Sequence, residues 1–415
     1  MKAEILCVGT ELLLGDIVNT NAAYIAKELA NLGIDVYNQA VVGDNPDRLK
    51  ESLEQAFQRN DIVVMTGGLG PTYDDLTKET VAQLFGKKMV LHQESLERIE
   101  RFFKYYNRVM TENNRKQAFM PEGATVFPND NGTAPGLAVE KDGKIAILLP
   151  GPPREMTPMF SSSVVPYLQQ FSGSTLYSSN IHLFGIGESQ VETILREMMV
   201  SHRNPTIAPY AKEGEVRLRV TASAKTKEEA KEMVLPVVEQ IREILGKYIY
   251  GIDVGDLQTA LVQKLTEEKK KVACAESCTG GYISKRLTEV PGASLVFDCG
   301  VCSYANEIKE RVLGVSHDTL AAHGAVSRET AMEMARGVRL LSGADIGVST
   351  TGIAGPGGGS EEKPVGLVYV GVSTPSSCEA FELHLSRGYR EEREYIRYLA
   401  ASHALYQCLK ALETL

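Results

Sequence analysis

Residues 61–77 read Asp61-Ile62-Val63-Val64-Met65-Thr66-Gly67-Gly68-Leu69-Gly70-Pro71-Thr72-Tyr73-Asp74-Asp75-Leu76-Thr77. The unbroken apolar run predicts a strand buried on both faces, as in parallel sheets. A glycine-rich turn follows directly, and a helix opens just after it. Strand, turn and helix in that order make the repeating unit of an α/β fold, whose ligands collect at the carboxyl ends of strands. Glycines let backbone N–H groups approach an anion. The adjacent carboxylates of Asp74 and Asp75 do not favour a bare phosphate, but they make sense if a divalent cation sits between acid and phosphate. The turn is neither a Gly-Lys-Ser/Thr phosphate loop nor a GxGxxG dinucleotide loop.

The flanking sequence repeats the unit. Residues 3–8 form a short apolar run, and a helix from about Thr20 carries Ile25, Leu29 and Leu32 on one stripe with Gly33 as its stop. A strand over 34–42 precedes Asn45-Pro46, an N-cap with proline at the first helical position, and the stripe Leu49, Leu53, Phe57. A further strand spans 145–149. The expected first region, 1–170, is thus a three-layer α/β domain with a parallel sheet. Residues 171–252 read as a small α+β unit: strand near 176–184, helix 188–199, two strands, and a helix 227–245 that contains Pro236. Residues 253–415 return to α/β alternation, closing with a long helix from about Arg390.

Composition bounds the function. At 415 residues, two to four domains are expected. A net charge of -9 argues against a general binder of phosphate backbones. Seven cysteines cannot all pair, and a reducing compartment is the simple reading. No apolar run approaches the ~20 residues of a membrane span, and the start lacks a secretory signal. The chain reads as cytoplasmic, without a membrane partner.

Three more stretches accompany the glycine turn. Gly9-Thr10-Glu11 leaves the first strand, and Asn19 and Asn21 stand at the next helix start. Asn131-Gly132-Thr133-Ala134-Pro135-Gly136 is turn-rich, and Pro150-Gly151-Pro152-Pro153-Arg154 follows the 145–149 strand, where Arg154 could meet a phosphate. In the last region, Glu276-Ser277-Cys278-Thr279-Gly280-Gly281 ends a strand and starts a helix. Pro291-Gly292-Ala293-Ser294 precedes the next strand, which runs to Tyr304, and Lys309 follows one turn into a helix. A second glycine loop holds Thr350, Thr351 and Gly352. Ser277, Cys278 and Ser294 are the available nucleophiles. No histidine lies in these motifs, so Lys309 is the alternative base, with Tyr304 able to relay a proton. The amides at 277–281 and 350–355 are candidates for an oxyanion hole.

The stretches GTELLLGDIVNTN, TGGLGPTYDDLT, NRKQA, NGTAPG and LPGPPREM closely resemble the N-terminal half of the CinA family, which is similar to molybdopterin-binding proteins. The resemblance implies metal-dependent hydrolysis of ADP-ribose to AMP and ribose 5-phosphate. It puts Asp75 at the metal (Mg, Mn or Co) and the 66–70 turn on the diphosphate. Glu11, Asn21, Thr66, Gly67, Gly68, Gly70, Asp74 and Arg154 are the residues expected around that nucleotide. Asp74 stands where molybdopterin enzymes often have a basic residue, which argues against molybdopterin. In the family the middle region resembles a KH fold. Its glycines here (Gly173, Gly185, Gly187, Gly214, Gly246) include no GxxG pair, so an interdomain role is expected and nucleic acid is not.

AESCTGG, PGAS, the Tyr304/Lys309 pair, TTGIAGPGGG and Gly388-Tyr389-Arg390 look like the C-terminal domain of the same family. That domain is similar to stand-alone nicotinamide mononucleotide deamidases, which convert nicotinamide mononucleotide and water to nicotinic acid mononucleotide and ammonia without a cofactor. Carried over, Ser294 is the expected nucleophile, with Lys309 its base and Tyr304 assisting. Ser277, Thr279, Gly280, Thr351 and Gly352 are expected around the substrate, with Ser277 and Thr351 on the substrate or oxyanion and Arg390 on the 5'-phosphate. The resemblance also implies a homodimer. The alternative is an interaction protein of competence or DNA damage, partnering recombination proteins, with vestigial pockets.

Overall fold

The computed structural model describes residues 1–171, 175–389 and 391–415. It divides into two compact units, Met1–Ser178 with Ala222–Glu232, and Ser179–Thr221 with Met233–Leu415. No helix among the described residues is long and apolar enough to cross a membrane.

The first unit is built on β1 (Lys2–Val8), β2 (Asp35–Val42) and β3 (Ile62–Thr66). A two-stranded ribbon, β4 (Met89–Leu91) with β5 (Phe119–Pro121), lies apart from them. β6 (Thr125–Phe127), β7 (Gly136–Lys141) and β8 (Lys144–Leu149) complete a six-stranded sheet in the order β2-β1-β3-β8-β7-β6. Ile5, Ile62, Val64 and Ile147 pack on one face, and Leu6, Val63, Met65 and Leu148 on the other. That two-sided burial is why these strands read as unbroken apolar runs.

The expectation of a wholly parallel sheet needs correcting at one edge. β2, β1, β3 and β8 run parallel, but β7 is antiparallel to β8 and β6 to β7. The cause is local. Asp142 and Gly143 both take positive φ, 50° and 76°, and close a two-residue hairpin between Lys141 and Lys144. Asp-Gly favours that turn because both central residues must adopt the left-handed region.

β9 (Thr175–Phe184), β10 (Thr206–Lys212), β11 (Glu215–Ala224) and β12 (Ile249–Ile252) form a second sheet, ordered β10-β11-β9-β12. β13 (Val272–Glu276), β14 (Phe297–Cys302), β15 (Ile346–Gly352), β16 (Leu367–Ser373) and β17 (Cys378–His384) form a third, ordered β14-β13-β15-β16-β17. Its first three strands are parallel and the rest antiparallel. The helices Leu257–Glu268 and Arg393–Leu412 cover one face of this sheet, while Arg328–Ser342 covers the other. The last helix therefore starts three residues later than its sequence suggested.

Candidate functional site

In the third sheet, β13 ends in a buried glutamate. Glu276 accepts hydrogen bonds from the amides of Ile283 (3.0 Å) and Ser284 (2.9 Å) and from the Ser284 hydroxyl (2.7 Å). Its carboxylate thus satisfies the orphan amides at the start of the helix Tyr282–Thr288. Gly280 and Gly281 follow with φ of 57° and 92°, a pair of left-handed residues that turns the chain sharply after Ser277. The Ser277 amide donates to the Thr350 carbonyl (2.9 Å), and the Ser303 amide to the Glu276 carbonyl (2.9 Å). Three strand ends are locked together around one half-buried hydroxyl.

Lys309, on the helix Asn306–Leu313, reaches into this corner and is only 1% exposed. Its Nζ lies 3.1 Å from Ser277 Oγ, 2.7 Å from the Ser303 carbonyl and 3.3 Å from the Tyr304 carbonyl. The two carbonyls can take the two protons of a neutral amine, which leaves its lone pair toward the Ser277 hydroxyl. Burial pulls the Lys309 pKa down, opposed by its interaction with Cys278. The neutral amine, the form that can take a proton, is thereby favoured. Burial pushes the neighbouring Cys278 thiol up to about 12. It therefore stays protonated at neutral pH and is a poor nucleophile.

The expected pairing of Lys309 with Ser294 is not among the hydrogen bonds that the described residues make. Ser294 is exposed in the short turn Ala293–Leu295, ahead of β14. Phe297 pairs with Val272 at the start of β13, whereas Cys302 pairs with Glu276 at its end. Four residues of strand, roughly 13 Å at 3.3 Å per residue, separate the two levels. The hydroxyl beside the amine is that of Ser277.

Tyr304 is 65% exposed, and its hydroxyl accepts a hydrogen bond from Arg393 Nη2 (3.2 Å). Arg393 Nη1 donates to the Gly355 carbonyl (2.6 Å), and Arg397 Nη2 donates to the Thr279 carbonyl (2.8 Å). Thr279 is fully buried, with its hydroxyl 2.7 Å from that of Thr350. The Thr351 hydroxyl donates to the Ala325 carbonyl at 2.5 Å. At Gly352 an added Cβ would stand 2.7 Å from the Leu367 carbonyl oxygen, so this strand end has no room for a side chain. Arg390 lies outside the described residues. Among the described residues Arg393 and Arg397, which no sequence signal separated from their arginine-rich surroundings, also reach this corner.

In the first unit, β3 delivers the glycine turn. Gly67 and Gly68 have φ of 106° and 66°, and a Cβ on Gly67 would fall 2.0 Å from the Val8 carbonyl oxygen. Thr66 Oγ1 donates to the Pro150 carbonyl (2.9 Å) and accepts from Asn21 Nδ2 (2.9 Å), which also donates to the Gly151 carbonyl (2.7 Å). These bonds tie the carboxyl ends of β3 and β8 to the helix Thr20–Asn31. Asp75 Oδ2 accepts from the Thr72 amide (2.9 Å) and, more closely, from its hydroxyl. Lys116, from the NRKQA stretch, donates to the Asp75 (2.6 Å) and Thr72 (3.3 Å) carbonyls and pins that loop from outside. Lys78 is buried beneath it, donating to the Gln117 carbonyl (2.9 Å), and burial lowers its pKa to about 8.

A cleft of about 410 Å³ opens over this turn, bordered by Gly68, Gly70 and the carboxylates of Glu11, Asp44, Asp74 and Asp75. Arg154 instead lines a neighbouring groove with Phe102, Tyr106 and Arg108, so the expected cation is absent from the acid cleft itself. Such a set of acids repels an anion that arrives without a counter-charge. No three His, Cys, Asp or Glu side chains among the described residues converge to hold an ion. The donor set suits a hard cation that takes one or two carboxylates and completes its shell with ligand oxygens and water, as magnesium usually does.

Comparison with known proteins covers nearly the whole chain. A "Probable molybdopterin binding domain" matches residues 4–170, a "Damage-inducible protein CinA KH domain" 178–251, and a "CinA C-terminal domain" 255–412. A "Putative competence-damage inducible protein" of Clostridium novyi is 54% identical over 385 residues, 93% of each chain. A "CinA-like protein" of Dictyoglomus thermophilum is 53% identical over 405 residues, 98% of each. Among solved structures, a competence/damage inducible protein from Agrobacterium tumefaciens is 42% identical with a TM-score of 0.36, covering 38% of this chain and 93% of that one.

Proposed function

The chain belongs to the CinA family of competence-damage inducible proteins, and from that premise we propose that its C-terminal corner is a nicotinamide-nucleotide amidase built on Ser277 and Lys309. Ser277 Oγ attacks the carboxamide carbon of nicotinamide mononucleotide while Lys309, 3.1 Å away, takes the hydroxyl proton. The tetrahedral oxyanion needs nearby N–H donors. The Ser277 amide is held by the Thr350 carbonyl and the Gly280 amide by the Ser277 carbonyl, while those of Cys278 and Thr279 face the Cys278 thiol, so the Gly281 amide is the donor we assign first. Collapse breaks the C–N bond, Lys309 returns the proton to the leaving ammonia, and water hydrolyses the acyl-serine to nicotinic acid mononucleotide. Arg393, with Tyr304, is a further cation we assign to the 5'-phosphate beside the expected Arg390.

The N-terminal cleft suits a second hydrolysis, ADP-ribose to AMP and ribose 5-phosphate. Asp75, with Glu11 or Asp74, would hold a divalent cation that offsets the diphosphate charge. The backbone of the 66–70 turn, bare of side chains, would approach the phosphate oxygens. Both reactions recover parts of broken dinucleotide in the cytoplasm. The relatives' names favour a second reading, a partner in DNA uptake or repair, which the same assay addresses.

The observation that carries the amidase is the buried amine against the Ser277 hydroxyl. The test is ammonia release from nicotinamide mononucleotide by wild type, Ser277→Ala and Ser294→Ala. We expect loss in the first variant only, and loss in Ser294→Ala alone would return the nucleophile to position 294. Asp75→Asn should abolish chelator-sensitive AMP formation from ADP-ribose while ammonia release stays intact. AMP formation untouched by both EDTA and this substitution would remove the metal from the scheme.

A further inference from the structure

The helix Arg393–Leu412 has two occupations. Its first two turns carry Arg393 and Arg397 into the serine corner. Its opposite side is covered by the second sheet. Phe184 of β9 stacks on Tyr406 with centroids 4.7 Å apart and meets His403 edge-on at 4.8 Å. At the tip of the β10–β11 hairpin, Gly214 approaches Leu399 so closely that a Cβ would stand 2.6 Å from Leu399 Cδ2.

The next residue, Glu215, is 5% exposed. Its carboxylate accepts from the Tyr250 hydroxyl (2.5 Å) and from the Tyr398 hydroxyl (3.4 Å). Tyr250 belongs to β12 and its hydroxyl also lies 3.3 Å from His182 Nδ1 of β9. Tyr398 belongs to the last helix, one residue beyond Arg397. The Tyr398 ring is capped by the Arg286 guanidinium at 5.2 Å and by the edge of Tyr282 at 6.2 Å. Arg286 is buried and held by Ser402 (2.7 Å) and Gln258. Tyr282 opens the helix that follows the Ser277 turn, and the Arg397 guanidinium stands over its ring at 5.6 Å. From Glu215 to the Thr279 carbonyl the contacts are continuous.

Burying a carboxylate costs desolvation, and an amide of the same shape could also join two hydroxyls. What the carboxylate adds is charge: it grips Tyr250 in a short charge-assisted bond of 2.5 Å and from that anchor holds Tyr398 more loosely at 3.4 Å. We infer that Glu215 and Tyr398 form a positioning joint, through which the second sheet sets Arg393 and Arg397 and so the affinity of the C-terminal corner for its mononucleotide. The inference rests on the amidase reading for its kinetic consequence, but not for its structural one. Glu215 is a positioning residue: it touches neither the serine nor the amine.

The test uses the full chain with Glu215→Gln, Tyr398→Phe and the double variant, beside Glu239→Gln as a surface control. Two quantities are measured: steady-state deamidation of nicotinamide mononucleotide, and hydrogen exchange in peptides covering residues 278–287 and 391–399. Each single variant should raise KM roughly fivefold or more while kcat stays within about twofold, and the double should match the singles rather than multiply them. Exchange in both peptides should quicken, with the control unchanged. Unchanged KM and exchange in both singles, or a multiplied effect in the double, overturns the joint. A fall in melting temperature with kcat and KM intact makes it merely structural, which also overturns it. If wild type releases no ammonia, the amidase reading fails by itself, and the exchange arm alone decides the joint.

Discussion

Replacing Lys309 with methionine removes the amine and leaves a chain of similar volume. Removing a general base costs about 10²- to 10⁴-fold in rate, which at about 1.4 kcal/mol per decade is roughly 3 to 5 kcal/mol of transition-state stabilisation. The effect on folding is the net of two opposing terms. The Ser303 and Tyr304 carbonyls each lose a donor, costing on the order of 1–3 kcal/mol apiece when left unpaired. Against that, the burial that holds the Lys309 pKa below its ordinary value is no longer needed. The sign follows from proton counts. A lysine with a lowered folded pKa binds fewer protons folded than unfolded between that value and 10.5, so wild-type stability climbs with pH across the window. Lys309→Met should lose that slope. Wild-type deamidation should likewise rise with pH until the amine is neutral and then level, whereas the residual rate of the variant should lack this limb. The assay is coupled detection of ammonia across pH, with urea melts beside it. A variant that keeps wild-type turnover, or keeps the same pH limb, refutes Lys309 as the base.

Two further outcomes are expected. Gly67→Ala would bring a Cβ within 2.0 Å of the Val8 carbonyl at a φ of 106°, so thermal melts should show a loss on the order of 1–3 kcal/mol, with AMP formation suppressed and ammonia release retained. Burial lowers His403 to about 4, below its unfolded value near 6.5, so the unfolded chain binds the extra proton between those values and stability falls as pH drops through them, by on the order of 3 kcal/mol. Urea melts at pH 7 and 4.5 should show His403→Phe losing less than wild type over that interval, and equal losses would discard the assignment.

Much of this was legible locally. The apolar run of β3 and the glycines behind it belong to one stretch of chain, and the strand and its turn follow from short-range rules. Lys309 was picked out because no histidine stood near either glycine loop. The choice between Ser277 and Ser294 was not legible, since both are hydroxyls beside glycines. What places Ser277 beside Lys309 is the parallel register of β13 and β14, a pairing of residues more than twenty apart in sequence. Arg393 escaped for a similar reason: among several arginines in a few residues, only the start of the last helix decides which one faces Tyr304. Lys116 reaches the Asp75 loop from a distance of 41 residues and carries no local mark of that duty. The antiparallel edge of the first sheet, by contrast, was announced by Asp142-Gly143 and overlooked.

The two clefts draw on different compact units and have no side chain in common. Selection can therefore relax on one without disturbing the other. On the proposed reading, a lineage with no need to cleave diphosphates could let Gly67 and Asp75 drift while the serine and its amine stay fixed, and the reverse holds equally. Descendants of such a chain would diverge by retiring one workshop at a time, and the surviving pair of residues in each would tell which trade was kept.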